Sequence, residues 1–276
     1  MRTSSTMRRV GAPLLIALAA LLLASVLLTA SGQAKSPPSA VKPTIVLVHG
    51  AWADSSSWDG EISRLQADGY PVVAPANPLR SLSGDAAYIA SVVKTIKGPI
   101  VLVGHSYGGA VITNAATGNP NVKALVYIDA FVPAQGESVL QLAAKNPGSQ
   151  LPASITEAPY TQGGQSGVDV YITTADFRSA FAGDVSSAKA NLMAITQRPV
   201  TLAALSEKSG APAWKSIRSW YLVGRQDEAI PPATQLFMAK RAHSHTVEIN
   251  ASHASLVSHP AAVTKLILAA VHTVAK

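Results

Sequence analysis

Six short runs of this sequence are apolar almost without interruption: Thr44–Val48 (TIVLV), Pro71–Ala74 (PVVA), Ile100–Val103 (IVLV), Ala124–Ile128 (ALVYI), Ser219–Val223 (SWYLV) and Thr246–Ile249 (TVEI). A strand with one wet face alternates apolar and polar residues, whereas a strand covered on both faces does not. Helical segments stand between the runs. Ser57–Asp68 follows a serine cluster able to cap it and stops at Gly69. Asp85–Ile96 keeps Ile89, Val92, Val93 and Ile96 apolar, and Pro260–Ala275 opens on proline and carries Val263, Leu266, Ile267, Ala270 and Val271 on one face. Buried strands alternating with helices predict an α/β fold, a mostly parallel sheet of about six strands with helices on both faces.

Between about 132 and 215 the rhythm breaks. The stretch is rich in Ala, Ser, Gln and Gly, shows no strong strand, and has helical pieces at Ser138–Ala144, Thr174–Phe181 and Val185–Ile195. It is too long for a plain crossover, so a mainly helical lid inserted between the fourth and fifth strands is expected. With 48% hydrophobic and 13% charged residues, general disorder is excluded. The absence of cysteine excludes disulfides, thiolate metal sites and a cysteine nucleophile.

Arg2, Arg8 and Arg9 precede an uncharged stretch, Gly11–Ala30, followed by the small residues Ser31, Gly32 and Ala34. This reads as a secretory signal over residues 1–34, cut after Ala34 or alternatively Ala30. The run also has the length of a membrane span, so an uncleaved anchor is the other reading; either places the remainder outside the cytoplasm. A proline-rich linker at 35–43 and a domain from 44 to 276 follow. Removing 34 of the 276 residues leaves 242, and losing three arginines takes the formal charge from +7 to +4. The remaining basic residues are scattered, so no nucleic-acid stripe is expected.

The chemistry is expected at strand ends. Gly104-His105-Ser106-Tyr107-Gly108 lies between the run IVLV and the helix-like GAVITNAA. Gly-x-Ser-x-Gly in a strand–turn–helix setting is a nucleophile elbow, in which a tight turn projects the serine hydroxyl above the sheet. Ser106 is the candidate nucleophile. His253 lies just past the last strand, where a loop can swing an imidazole over the elbow, and is the candidate base. His243 and His245 sit at the wrong end of that strand. Asp227, after SWYLV, is the candidate acid, with Asp129 after ALVYI as its rival. Two N–H groups must hold an oxyanion. The choices are Tyr107, directly after the nucleophile, and Ala51 in His49-Gly50-Ala51-Trp52, with Trp52 as the fallback. His49 is expected to bond loop carbonyls. Trp52, Phe131, Phe177, Phe181 and Trp214 are candidate pocket liners, with core packing the competing role.

With HGAW, GHSYGG, GRQDEAIPP and SHASL in this order, the chain resembles the α/β-hydrolase superfamily, and within it the branch of small esterases and hydroxynitrile lyases. The resemblance runs from about Thr44 to the C-terminus. It implies the α/β-hydrolase fold, a triad at Ser106, Asp227 and His253, oxyanion donors at Ala51 and Tyr107, and no metal or organic cofactor. The lyases carry Lys where this chain has Ala254 and Thr where it has Gly50, and both departures point to ester hydrolysis. Dehalogenases and epoxide hydrolases use an aspartate nucleophile, which Ser106 replaces. The expectation is an exported serine hydrolase acting on small or medium carboxylic esters. Its partner would be a small-molecule ester, with no nucleic acid, and with membrane contact only through a retained N-terminal segment. Lactone or C–C bond hydrolysis by the same triad, or a ligand receptor on a hydrolase scaffold, are the rival readings. Activity is expected to fall as His253 protonates in mild acid.

Overall fold

A computed structural model describes residues 41–274. The expected signal segment at 1–34 and most of the linker at 35–43 lie outside the described residues. In chain order the elements are β1 (Thr44–Val48), a 3-10 turn at Ser55–Trp58, α1 (Asp59–Ala67), β2 (Val72–Val73), α2 (Leu82–Thr95), β3 (Ile100–His105), α3 (Tyr107–Ala115) and β4 (Val122–Ile128). The long insertion follows, with α4 (Val139–Ala143), α5 (Leu151–Ser154), β5 (Ile155–Gln162), β6 (Gln165–Ile172), α6 (Phe177–Phe181), α7 (Ser187–Thr196), β7 (Val200–Thr201) and α8 (Leu202–Ser206). The chain returns through β8 (Ser219–Gly224), α9 (Pro232–Arg241), β9 (His245–Ile249), α10 (Ser255–Ser258) and α11 (Pro260–Val274).

The main sheet has six strands in the order β2-β1-β3-β4-β8-β9, and every neighbouring pair is parallel. Each parallel step needs a crossover, and helices make it, so both faces are covered. Successive side chains of a strand point to opposite faces. Ile45, Leu47, Val101, Val103 and Val126 accordingly pack with Trp58, Val263 and Ile267 on one side. Val46, Val48, Leu102, Leu125 and Tyr221 pack on the other with Ile89, Ile112 and Met238. Burial on both faces holds for β1, β3 and β8, whose residues are buried almost throughout, but not for the edges: β2 is half-buried and β9 is largely exposed. An edge strand lacks a neighbour on one side and helices cover it incompletely, which corrects the expectation for TVEI and PVVA.

The insertion corrects a second expectation. It holds helices, but it also holds a three-stranded antiparallel sheet, β5-β6-β7. Gly163 and Gly164, both at positive φ, make the turn that pairs Gln162 with Gln165. The two long strands are mostly exposed or half-buried, so they lack the apolar continuity that marks the main sheet. A two-residue Gly-Gly turn was the signal available in the sequence. The helical pieces begin where side chains cap them: Ser138 and Gln141 form a capping box at α4, and Ser186 accepts from the Lys189 N–H at α7.

Register brings the functional loops together. Val48 pairs with Gly104, Gly104 with Tyr127, Tyr127 with Tyr221 and Gly224 with Ile249. The loops after β1, β3, β4, β8 and β9 therefore leave from one edge of the sheet, where open α/β sheets bind their ligands.

Candidate active site

Ser106 sits between β3 and α3 at φ 52°, ψ −123°, a region that costs a residue with a side chain about 1–3 kcal/mol and persists only where surroundings enforce it. The surroundings here are backbone. The Ser106 N–H donates to Ile128 O at 3.2 Å, and its carbonyl accepts from Gly109 N at 2.9 Å and Phe131 N at 3.0 Å. A Cβ on Gly104 would stand 2.6 Å from Gly108 O, one on Gly108 would stand 2.5 Å from Val48 O, and one on Gly109 would stand 2.6 Å from Phe131 O. The three glycines let helix α3 lie directly on the strands and force the turn at Ser106. Trp52 and Asp129 also adopt positive φ, so strained backbone gathers at this edge.

His253 and Asp227 are brought together. Nδ1 of His253 lies 2.7 Å from Asp227 Oδ2, and both side chains are buried. Asp227 Oδ1 accepts from the backbone N–H groups of Ala229 and Ile230, each at 2.8 Å, while Oδ2 also accepts from Gln235 Nε2 at 2.7 Å. Burial pushes the Asp227 carboxyl up, against these donors, which favour its charged form. An acceptor on Nδ1 fixes the proton there and leaves Nε2 bare. Nε2 of His253 is buried and has no hydrogen-bond partner among the described residues, Ser106 included; such contacts commonly tighten only around substrate. Burial pushes the imidazole down to about 3.

Asp129 takes a different place. Its Oδ1 accepts from Gly224 N at 2.7 Å and its Oδ2 is bonded to the Ser255 hydroxyl. It thus ties the end of β4 to the start of the Asp227 loop and to the helix after His253. Burial first, and then the neighbouring Asp227 charge, push its carboxyl well above the usual range, against the two donors that favour its charged form.

Two further histidines support the loops. His49 Nε2 accepts from Asn77 N at 2.9 Å, so its proton is on Nδ1, which donates to Gly50 O at 2.9 Å. Asn77 Nδ2 returns a bond to His49 O at 3.0 Å, and burial pushes His49 down to about 4. This matches the expected bonding of loop carbonyls. His105 Nε2 lies 2.9 Å from the His253 carbonyl oxygen and donates to it. The His105 ring lies edge-on to Trp58 and Phe181 and 4.8 Å between centroids from the His253 ring.

A cavity of about 250 Å³ opens beside Ser106 and is lined by Ala51, Tyr107, Trp52 and Phe131, together with residues of the insertion and Ile230. A Cβ on Gly50 would come within 2.7 Å of Ser106 Cβ, so glycine there lets the Ala51 peptide approach the elbow. The Trp52 N–H is donated to Arg198 O at 3.0 Å, which removes the fallback oxyanion donor. Of the expected liners, Trp52 and Phe131 face the cavity. The others are corrected: Phe177 and Phe181 are core, with Phe181 edge-on to His253 at 4.7 Å, and Trp214 donates its indole N–H to Pro133 O. Their aromatic character is spent on packing. Gln235 and Asn77, which carry no motif of their own, were invisible in the sequence. Among the described residues, no group of three His, Asp or Glu side chains is placed to hold a metal ion.

Comparison with known proteins agrees with this fold. The chain is 35% identical over 113 residues to the carbendazim hydrolyzing esterase of Nocardioides sp. (strain SG-4G), a match covering 36% of this chain and 47% of that relative, about half its length. It is 29% identical over 249 residues to the alpha/beta hydrolase nvfD of Aspergillus novofumigatus (strain IBT 16806), covering 82% of this chain and 96% of the relative. The crystal structure of polyneuridine aldehyde esterase superposes with a TM-score of 0.72 at 20% identity, over 83% of this chain and 99% of that one. The family pattern described as "Alpha/beta hydrolase family" matches residues 45–266, and the chain belongs to that family.

Proposed function

We propose that this hydrolase cleaves carboxylic esters of small or medium size through an acyl-enzyme on Ser106. The observation that carries the reading is the buried His253–Asp227 pair beside a strained elbow serine. Ser106 Oγ attacks the ester carbonyl while bare Nε2 of His253 takes its proton. Asp227 keeps the imidazole in the Nδ1–H tautomer and stabilises the imidazolium. The Ala51 and Tyr107 N–H groups bind the oxyanion; Tyr107 opens helix α3, whose first N–H groups lack intrahelical acceptors. His253 then protonates the leaving alcohol, and water, deprotonated by the same nitrogen, releases the acid. The esterase named among its relatives supports the same reading.

Ser106→Ala should lower turnover of p-nitrophenyl acetate by about 10⁴-fold or more and abolish labelling by a fluorophosphonate probe. Wild-type rates in that variant would reject the mechanism, and an unlabelled, inactive wild-type protein would favour the receptor reading. Because burial depresses His253, the acid limb of kcat/KM falls below the ordinary histidine value, lower than the sequence alone suggested. The N-terminal segment is proposed to export the enzyme; the mass of the exported chain distinguishes cleavage near Ala34 from a retained anchor.

A further inference from the structure

The cavity beside Ser106 offers almost nothing polar. None of its lining residues is charged. The heteroatoms that do reach it are already engaged inside the protein. Trp52 Nε1 donates to Val170 O at 2.9 Å, Tyr107 OH donates to Asp85 Oδ2 at 2.8 Å, and Ser149 Oγ donates to Ala229 O at 2.8 Å while accepting from Leu151 N at 3.3 Å. Among the described side chains that line it, the Ser106 hydroxyl is left free to meet a ligand, and the Ala51 and Tyr107 N–H groups are reserved for the reacting carbonyl oxygen. A substrate hydroxyl or carboxylate placed there would lose its water and find no replacement.

The cavity also has a direction. Ser106 and both proposed oxyanion donors line it, whereas His253 does not. The leaving oxygen has to stand at His253 Nε2 to be protonated, so the alcohol departs on the other side of Ser106 and the cavity takes the acid. Its outer wall is the insertion segment 139–155, where Leu140 and Ile155 line the space and are 40% and 37% exposed, forming its lip.

Resting on the ester-hydrolase reading, we infer that this cavity is an acyl site selecting neutral, hydrocarbon-like carboxylic acids and rejecting acids with a second charge or a terminal hydroxyl. Taking the roughly 30 Å³ that a water occupies in the liquid as the share of one non-hydrogen atom, its 250 Å³ holds an acyl group of about eight such atoms, a six- to eight-carbon chain or a benzoyl ring.

The test uses ethyl esters, so that the leaving group is constant, followed by acid release. Ethyl acetate, butyrate and hexanoate should rise in kcat/KM with length. Ethyl 6-hydroxyhexanoate should fall about ten- to hundredfold below hexanoate, and monoethyl adipate further. Ala143→Leu, which fills the cavity wall, should lower the hexanoate-to-acetate ratio about tenfold or more, and Ala144→Leu serves if the first variant does not fold. Labelling of Ser106 by a fluorophosphonate with equal rates on hexanoate and monoethyl adipate would overturn the inference and leave the esterase reading standing. So would a strong dependence on alcohol length in a series of acetates with none on acid length. Failure to label Ser106 and to cleave any ester would overturn both.

Discussion

His49 decides which way one peptide faces. A trans peptide sets C=O and N–H in opposite directions, and no cis bond occurs among the described residues. With Asn77 N–H on Nε2, the His49 proton is committed to Gly50 O; the Ala51 N–H then points away from His49, toward the cavity that Ala51 shares with Ser106. His49 is thus a positioning residue for the proposed oxyanion donor. His49→Asn keeps an amide donor near the Nδ1 position, and His49→Gln places its amide near Nε2 instead. The Gln variant should lose about 10–100-fold in kcat with little change in KM, toward the cost of one missing oxyanion donor, while the Asn variant recovers much of it. Equal losses in both, tracking equal drops in melting temperature, would reduce His49 to a packing role. The same residue shows why the site was partly legible. Gly-x-Ser-x-Gly, the acid after one strand and the histidine after the next are local patterns with a fixed order. Gln235, eight positions past Asp227 on a helix, acts only through the fold, and so does the Trp52 amide, committed to Arg198 O.

At the scale of elements, α3 is held against β1 and β3 by what is missing from its first turn. Gly108 approaches Val48 O and Gly109 approaches Phe131 O too closely for any side chain. Gly108→Ala therefore pushes the helix off the sheet, with an overpacking cost of about 1–3 kcal/mol. Because Ser106 rides on that junction, kcat should fall together with the melting temperature; a stable Gly108→Ala enzyme with unchanged kcat would show that the elbow does not depend on this contact. The same contrast between central and peripheral elements governs what the sequence revealed. β1 spans Thr44–Val48 as read, and β3, β4 and β8 were found to within a few residues, because burial on both faces leaves an apolar run that no loop imitates. β5 and β6 pair with each other at the surface, where side chains answer to solvent and the composition resembles a loop. Helix α9 went unread because its Pro232–Arg241 stretch exposes Leu236 and Phe237 and shows little apolar periodicity.

Across the whole molecule, buried ionisable groups set opposing pH slopes on stability. His49 is pushed by burial to about 4 and His253 to about 3, and His105 is also lowered. As pH falls from 6.5 toward 4, the unfolded chain binds protons that these folded imidazoles refuse, so stability is lost in that window. Glu61 works the other way. It is a buried residue of α1 with neither carboxyl oxygen hydrogen-bonded among the described residues, and burial pushes it up to about 9 from an ordinary 4.5. Between those values the folded protein holds a proton that the unfolded chain releases, and stability falls as pH rises, by at most about 1.4 kcal/mol per pH unit. Glu61→Gln removes the titration while keeping the shape. Its melting temperature relative to wild type should therefore climb steadily between pH 5 and pH 9, measured by thermal unfolding at constant ionic strength. Parallel curves across that range would mean that Glu61 ionises freely in the folded state and that the interior beside α1 is wetter than its packing implies. Since Glu61 belongs to α1, whose Leu65 packs in the cluster of Trp58 and Val263 rather than in that of Tyr107 and Phe131, kcat at neutral pH should stay at the wild-type value while stability changes.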